Sequence, residues 1–188
     1  MVHEFSIDSG RQVYIDTQSN LSGILWELVG PRGTVGTGSF GNDNGTTQIL
    51  DLPAGSYRFI VSGNRTQFAV DNFTGDFRFR LIDLADATAV RTGSFLDTTL
   101  SPGNTTRAFT FEATAGDALY LRVLDSDGSA NRRLISPSGT VLSTTTAGSD
   151  INGLRLAESG TYLLLVGGTE SRVAESRLVY NLFTNQSS

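Results

Sequence analysis

Apolar residues recur at every second position along much of the chain. Tyr57, Phe59 and Val61 flank Arg58 and Ile60, and Phe77, Phe79 and Leu81 flank Arg78 and Arg80. A period of two belongs to an extended strand with one face in a core and the other in water. Phe109 and Phe111, then Leu119, Leu121 and Val123, then Tyr162, Leu164 and Val166 repeat the pattern. Turn signals separate these runs: Asp8-Ser9-Gly10, Gly30-Pro31-Arg32-Gly33, Pro53-Ala54-Gly55, Ser136-Pro137-Ser138-Gly139 and Glu158-Ser159-Gly160. No segment shows a convincing helical period, and residues 81–87 have room for a single turn. Short strands closed by frequent turns predict an all-β fold of antiparallel β-sandwich, jelly-roll-like type.

The pattern occurs twice. LDLPAGSYRFIVSGN at 50–64 matches LRLAESGTYLLLVGG at 154–168, with Gly55 over Gly160 and Tyr57 over Tyr162. WELVGPRGTV at 26–35 matches RRLISPSGTV at 132–141, with Pro31 over Pro137. FSIDSGRQVYI at 5–15 matches FTFEATAGDALYL at 109–121, with Phe5 over Phe109 and Gly10 over Gly116. A spacing of about a hundred residues exceeds any solenoid repeat and predicts tandem domains, at 1–86 and 92–188. The second copy is preceded by Gly93–Leu100, a predicted first strand, and by the turn Ser101-Pro102-Gly103. The first copy begins at its second strand, so the chain reads as cut from a longer array. Its first domain is expected to lack one strand and to expose an edge open to pairing.

The order F-x-F, A-x-A-G-D-x-L-Y, L-I-x-P-x-G, L-x-L-x-x-x-G-x-Y-x-L-x-V and a closing F-R-L resembles bacterial pre-peptidase C-terminal domains. The connecting LADATAV is similar to the joints between their tandem copies in large secreted or surface proteins. The resemblance implies jelly-roll sandwiches acting as accessory modules, some binding collagen, other matrix polymers or glycans, and some binding calcium. It implies a secreted or cell-surface location in bacteria, with neighbouring repeats of the parent chain as partners. In one departure, Trp26 stands where the second copy has Arg132; a position accepting both is expected at a rim.

Composition narrows the chemistry. The 188 residues carry a formal net charge of −5, with no basic stripe, which disfavours nucleic acid and anionic surfaces as partners. All 14 basic residues are Arg, Cys is absent and the single His is His3. Thiolate, Schiff-base and phosphate-loop lysine chemistry are thereby removed, and a triad would need a histidine at the chain's start. No stretch approaches the roughly 20 apolar residues that span a bilayer, so no membrane insertion is expected. MVHEFSIDSG has neither a basic n-region nor an apolar h-region. The six N-x-S/T sequons, at Asn20, Asn44, Asn64, Asn72, Asn104 and Asn185, mark polar loops in an Asn-, Ser- and Thr-rich chain. Among 19 acidic residues no segment singles out a catalytic pair. A non-enzymatic role is expected, as a spacer or adhesion module, with carbohydrate or matrix-polymer binding as the alternative.

Four features compete as sites. Asp125, Asp127 and Asn131 place oxygen ligands at loop spacing for calcium, but the stretch lacks the terminal bidentate Glu. The other reading is a polar turn capped by its own Asx side chains. Gly41–Gly45 reads as a tight turn or a ligand-facing tip. Trp26 with Tyr14 offers a sugar-stacking platform, against packing of Trp26 in core or rim with Tyr14 pointing to the other face. Arg58, Arg78 and Arg80 offer a cationic patch, against cross-strand pairing with carboxylates such as Asp76.

Overall fold

A computed structural model describes residues 1–21, 23–41, 49–63, 76–126, 130–169 and 171–185. The chain divides into two compact units, Met1–Asp86 and Ala87–Ser188. Among the described residues the first holds β1 (Val2–Ile7), β2 (Arg11–Thr17), β3 (Ile24–Gly30), β4 (Gly33–Ser39), β5 (Ile49–Leu52), β6 (Gly55–Gly63), β7 (Phe79–Asp83) and the 3-10 turn Leu84–Asp86. They form the sheets β1-β6-β3-β4 and β5-β2-β7, antiparallel throughout.

The second unit holds β8 (Thr88–Ala89), β9 (Ser94–Leu100), β10 (Thr106–Ala113), β11 (Ala118–Ser126), β12 (Ala130–Ile135), β13 (Val141–Thr146), β14 (Ile151–Arg155), β15 (Gly160–Gly168) and β16 (Ser176–Asn185). Its sheets run β13-β12-β15-β10-β8 and β14-β11-β16-β9. All pairings are antiparallel except the short parallel contact of β8 with β10. That contact places residues 87–91, expected as a connection, in the second unit. The fold is all-β and β-sandwich-like.

Alternation builds each core. In the first unit Ile24, Trp26 and Leu28 of β3 meet Tyr57, Phe59 and Val61 of β6 and Val13 and Ile15 of β2. In the second, Leu119 and Leu121 of β11 meet Tyr162, Leu164 and Val166 of β15 and Leu178, Tyr180 and Leu182 of β16. Burial of these side chains removes apolar area from water at about 25 cal/mol per Å², the main favourable contribution to each fold.

The strand register corrects one residue equivalence. Phe5 stands opposite Tyr57 and Phe111 stands opposite Tyr162, each ring pair stacked at 5.4 Å. Phe5 therefore corresponds to Phe111, two residues beyond Phe109. The two-residue gap lay in the text match alone, because the F-x-F of β10 offers two phenylalanines and only the cross-strand partner chooses between them.

The turn before β6 and β15 uses the same chemistry in both units. Gly55 and Gly160 have φ of +147° and +136°, which side-chain-bearing residues rarely adopt, and a Cβ on Gly55 would lie 2.2 Å from Pro31 Cγ. Two residues on, Tyr57 Oη donates to the carbonyl of Pro53 at 2.5 Å and Tyr162 Oη to that of Glu158 at 2.7 Å. Burial raises the pKa of both phenols. A raised folded pKa means stability that is whole below the unfolded phenol's value of about 10 and is lost as pH climbs through the folded value. Tyr57→Phe and Tyr162→Phe should each cost about 0.5–1.5 kcal/mol at neutral pH and flatten the alkaline limb of a stability-against-pH curve. An unchanged alkaline limb in both variants would contradict this.

Candidate functional site

The outer face of the sheet β14-β11-β16-β9 carries exposed aromatic, amide and charged side chains. Strand pairing lays it out as rows. Tyr120 of β11 stands between Asn152 of β14 and Phe183 of β16. In the next row Asn181 of β16 stands between Arg122 of β11 and Phe95 of β9. In the third, Val179 stands between Asp125 and Asp97.

Each row has a physical basis. The Tyr120 and Phe183 rings stack at 5.0 Å with 4° between planes, the offset pairing that adds about 0.5–1.5 kcal/mol beyond area burial. Gly153, at φ +69°, passes beneath the tyrosine hydroxyl, where a Cβ would lie 3.4 Å away. Tyr120 and Phe183 are partly exposed, and Phe95 is 68% exposed. An exposed phenylalanine diagonal to a stacked pair forms an apolar step across three strands, edged by Arg122, Asn181 and Asn152.

The far end of this face is ionic. Arg177 Nη2 lies 2.5 Å from Asp97 and Nη1 lies 3.5 Å from Asp125. The Arg177 hydrogen bond and charge hold the Asp97 carboxyl below its ordinary pKa, and Asp97 in turn raises that of Arg177. All three groups are more than half exposed, so the network orients side chains more than it stabilises the fold.

This arrangement bears on the calcium reading. Asp125 is tied to Arg177 on this sheet, Asn131 belongs to β12 of the other sheet, and Asp127 lies outside the described residues. Asp125 and Asn131 together offer one carboxylate and one amide, against the six to eight oxygens calcium takes. A melting temperature that rises with the logarithm of calcium concentration would assign an ion to Asp125, Asp127 and Asn131, and no shift at millimolar calcium would exclude one there.

The other expected sites divide as follows. Trp26 and Arg132 do occupy equivalent positions, opposite Val61 and Val166. They are 2% and 1% exposed, so the position is deep core and the expected rim is corrected. Its two occupants face different residues on the neighbouring strand. Gly38 faces Trp26 and leaves the indole its space, whereas Thr145 faces Arg132. Tyr14 does point away from the core that holds Trp26, but it is 3% exposed, so the two make no sugar platform.

Arg58 lies in the β1-β6-β3-β4 sheet, apart from Arg78 and Arg80 beside β2, so the three form no single patch. Arg80 donates from Nε and Nη2 to the buried Asp16, and Arg11 pairs with Asp83 at 2.8 Å. Asn42, Asp43 and Asn44 lie outside the described residues. Sequence reading passed over the Tyr120–Phe183–Phe95 step. Its signal was available, since Tyr120 and Phe183 are the off-phase aromatics in strands whose alternate residues fill the core.

No family model matches the chain, and no curated protein matches it either. Among solved structures, the periplasmic g-type lysozyme inhibitor PliG of Aeromonas hydrophila matches with 18% identity and a TM-score of 0.44, covering 53% of this chain and 97% of that one. The pre-peptidase C-terminal domain of Bacillus anthracis collagenase matches with 18% identity and a TM-score of 0.40, over 53% and 95%. The CUB1-EGF-CUB2 region of human MASP-1/3 covers 97% of this chain and 92% of that one at 10% identity, with a TM-score of 0.29.

Proposed function

We propose that the chain is a pair of non-catalytic β-sandwich modules, copies of one pre-peptidase C-terminal-like unit. They would serve as spacer or adhesion repeats in a large exported bacterial protein, at its surface or secreted. The observation that carries this reading is the shared strand order. β1-β6-β3-β4 in one unit answers β10-β15-β12-β13 in the other, and β5-β2-β7 answers β14-β11-β16. Two self-contained units of one design suit a load-spacing role, in which each module holds its own core. An antibody raised against this chain should label intact cells of the parent bacterium; labelling that needs permeabilised cells overturns the export reading.

The aromatic step favours a second reading, binding of a polysaccharide or matrix polymer on the second unit. Aromatic faces stack against the apolar face of a sugar ring or the prolines of an extended matrix strand, while Arg122, Asn181 and Asn152 supply polar contacts at the edge. The chain should then be retained on an insoluble polymer such as collagen, chitin or cellulose, and Phe95→Ala should release it. Retention unaffected by Phe95→Ala would place the contact elsewhere and overturn this assignment.

A further inference from the structure

Residues 87–93 carry the chain into the second unit across one side of its sandwich. β8 lies in parallel beside β10, with Thr88 opposite Phe109 and Ala89 opposite Thr110, and Val90 N–H donates to the Thr110 carbonyl at 2.8 Å. The chain then turns at Arg91, whose carbonyl accepts from the Ser94 N–H, and Gly93 N–H donates to the Leu182 carbonyl of β16 at 2.7 Å. From Ser94 it continues as β9 on the other sheet. These residues tie the two sheets together as a strap.

The strap is lightly held. Thr88, Ala89, Arg91, Thr92 and Gly93 are exposed, and Val90 alone among them packs against the core. Its pairing with β10 runs over two residues, against seven between β9 and β16 and eight between β10 and β15. A hollow of about 660 Å³ lies along its flank, lined by Val90, Arg91, Phe111 and Glu112, so that side is not sealed by packing. Few buried apolar contacts and exposed backbone bonds mark a segment that opens at a free energy well below that of global unfolding.

The ladder behind the strap opens from the same end. β9 begins at Ser94, opposite Leu182, and runs antiparallel to β16, which ends at Asn185. Tension entering at residue 94 and leaving at residue 185 therefore parts the two strands from one end, and their hydrogen bonds carry the load in turn. Pulled from opposite ends, the same strands would share the load over the whole ladder at once. Adjacent strands lie about 4.8 Å apart and rise about 3.3 Å per residue, so these two residues are separated by roughly 10 Å in the folded unit. Fully extended, the chain between them spans roughly 300 Å.

We propose that the second unit is a two-stage extensible link, in which tension first releases the strap reversibly and then unzips β9 from β16. This deepens the spacer reading and rests on it for the source of the tension, which neighbouring repeats would transmit. The mechanical response belongs to the purified chain, so a failure of surface labelling leaves it standing.

The chain has no Cys, so paired cysteine substitutions give unique attachment points for the handles of an optical trap. Pulled between Asp86→Cys and Asn185→Cys, the chain should show a reversible step of at most about 25 Å before the second unit unfolds. Moving the first handle to Thr92→Cys should remove that step and leave the unfolding force unchanged. Val90→Pro, which lacks the N–H given to Thr110, should also remove it when the chain is pulled from residue 86. A handle at Thr99→Cys, at the far end of β9 opposite Arg177, loads the ladder in shear and should need a higher force. An absent early step, an early step that survives Val90→Pro, or equal unfolding forces from residues 92 and 99 would overturn the proposal.

Discussion

Replacing Trp26 with alanine should lower the stability of the first unit by about 3–5 kcal/mol, the range for truncating a large buried aromatic. The indole is 2% exposed and stacks on Phe59 at 5.7 Å with 16° between planes. Phe59 in turn stacks on Phe79 at 4.2 Å, so the rings form a continuous column between the sheets. Gly38 of β4 faces the indole so closely that a Cβ there would lie 2.6 Å from the ring. With the tryptophan gone, no side chain at position 38 could fall into the space, and β4 would have to move as backbone. Incomplete collapse is the condition under which large-to-small changes cost most. Trp26 is the only tryptophan, so its variant should be followed by circular dichroism or calorimetry instead of intrinsic fluorescence. A loss below about 1 kcal/mol would show that the site collapses freely.

Replacing Arg132 with methionine should act in the opposite direction, stabilising the second unit by about 1–4 kcal/mol. The guanidinium is 1% exposed; Nη2 donates to the Ser149 carbonyl at 2.6 Å, and the group lies 5.5 Å from the centre of the Tyr180 ring. Nε and Nη1 have no hydrogen-bond partner among the described residues. Burial pulls its pKa below the ordinary value, opposed by Tyr180, which is how a charge held in an apolar core behaves. Methionine keeps the length of the side chain, fills the space between β12 and β16, and removes two unsatisfied donors. Alanine removes the same charge but leaves a void, so Arg132→Ala should be less stable than Arg132→Met in denaturant unfolding. A methionine variant weaker than the parent would mean that the ring and the carbonyl more than offset the burial of the charge.

The strands were legible in the sequence because each is amphipathic at a period of two, and Tyr57, Phe59 and Val61 lie in the core that their spacing predicts. The predicted strand at Gly93–Leu100 appears as Ser94–Leu100. Alternation tells which residues share a face but says nothing of how deep that face lies. Trp26 and Arg132 therefore read as rim, although Gly38 on the neighbouring strand leaves the indole its space and Arg132 reaches the Ser149 carbonyl from inside the core. Sheet membership is equally hidden from local pattern, so Arg58 seemed to join Arg78 and Arg80 from which topology separates it. The aromatic step on the outer face depends on three strands distant in sequence, and only their register brings Tyr120, Phe183 and Phe95 together.

The proposed function requires two self-contained copies of one sandwich module. Scanning calorimetry of the full chain alongside Trp26→Ala and Arg132→Met tests it most directly. Two transitions are predicted, one falling only in Trp26→Ala and the other rising only in Arg132→Met. A single cooperative transition that moves with both substitutions would contradict it.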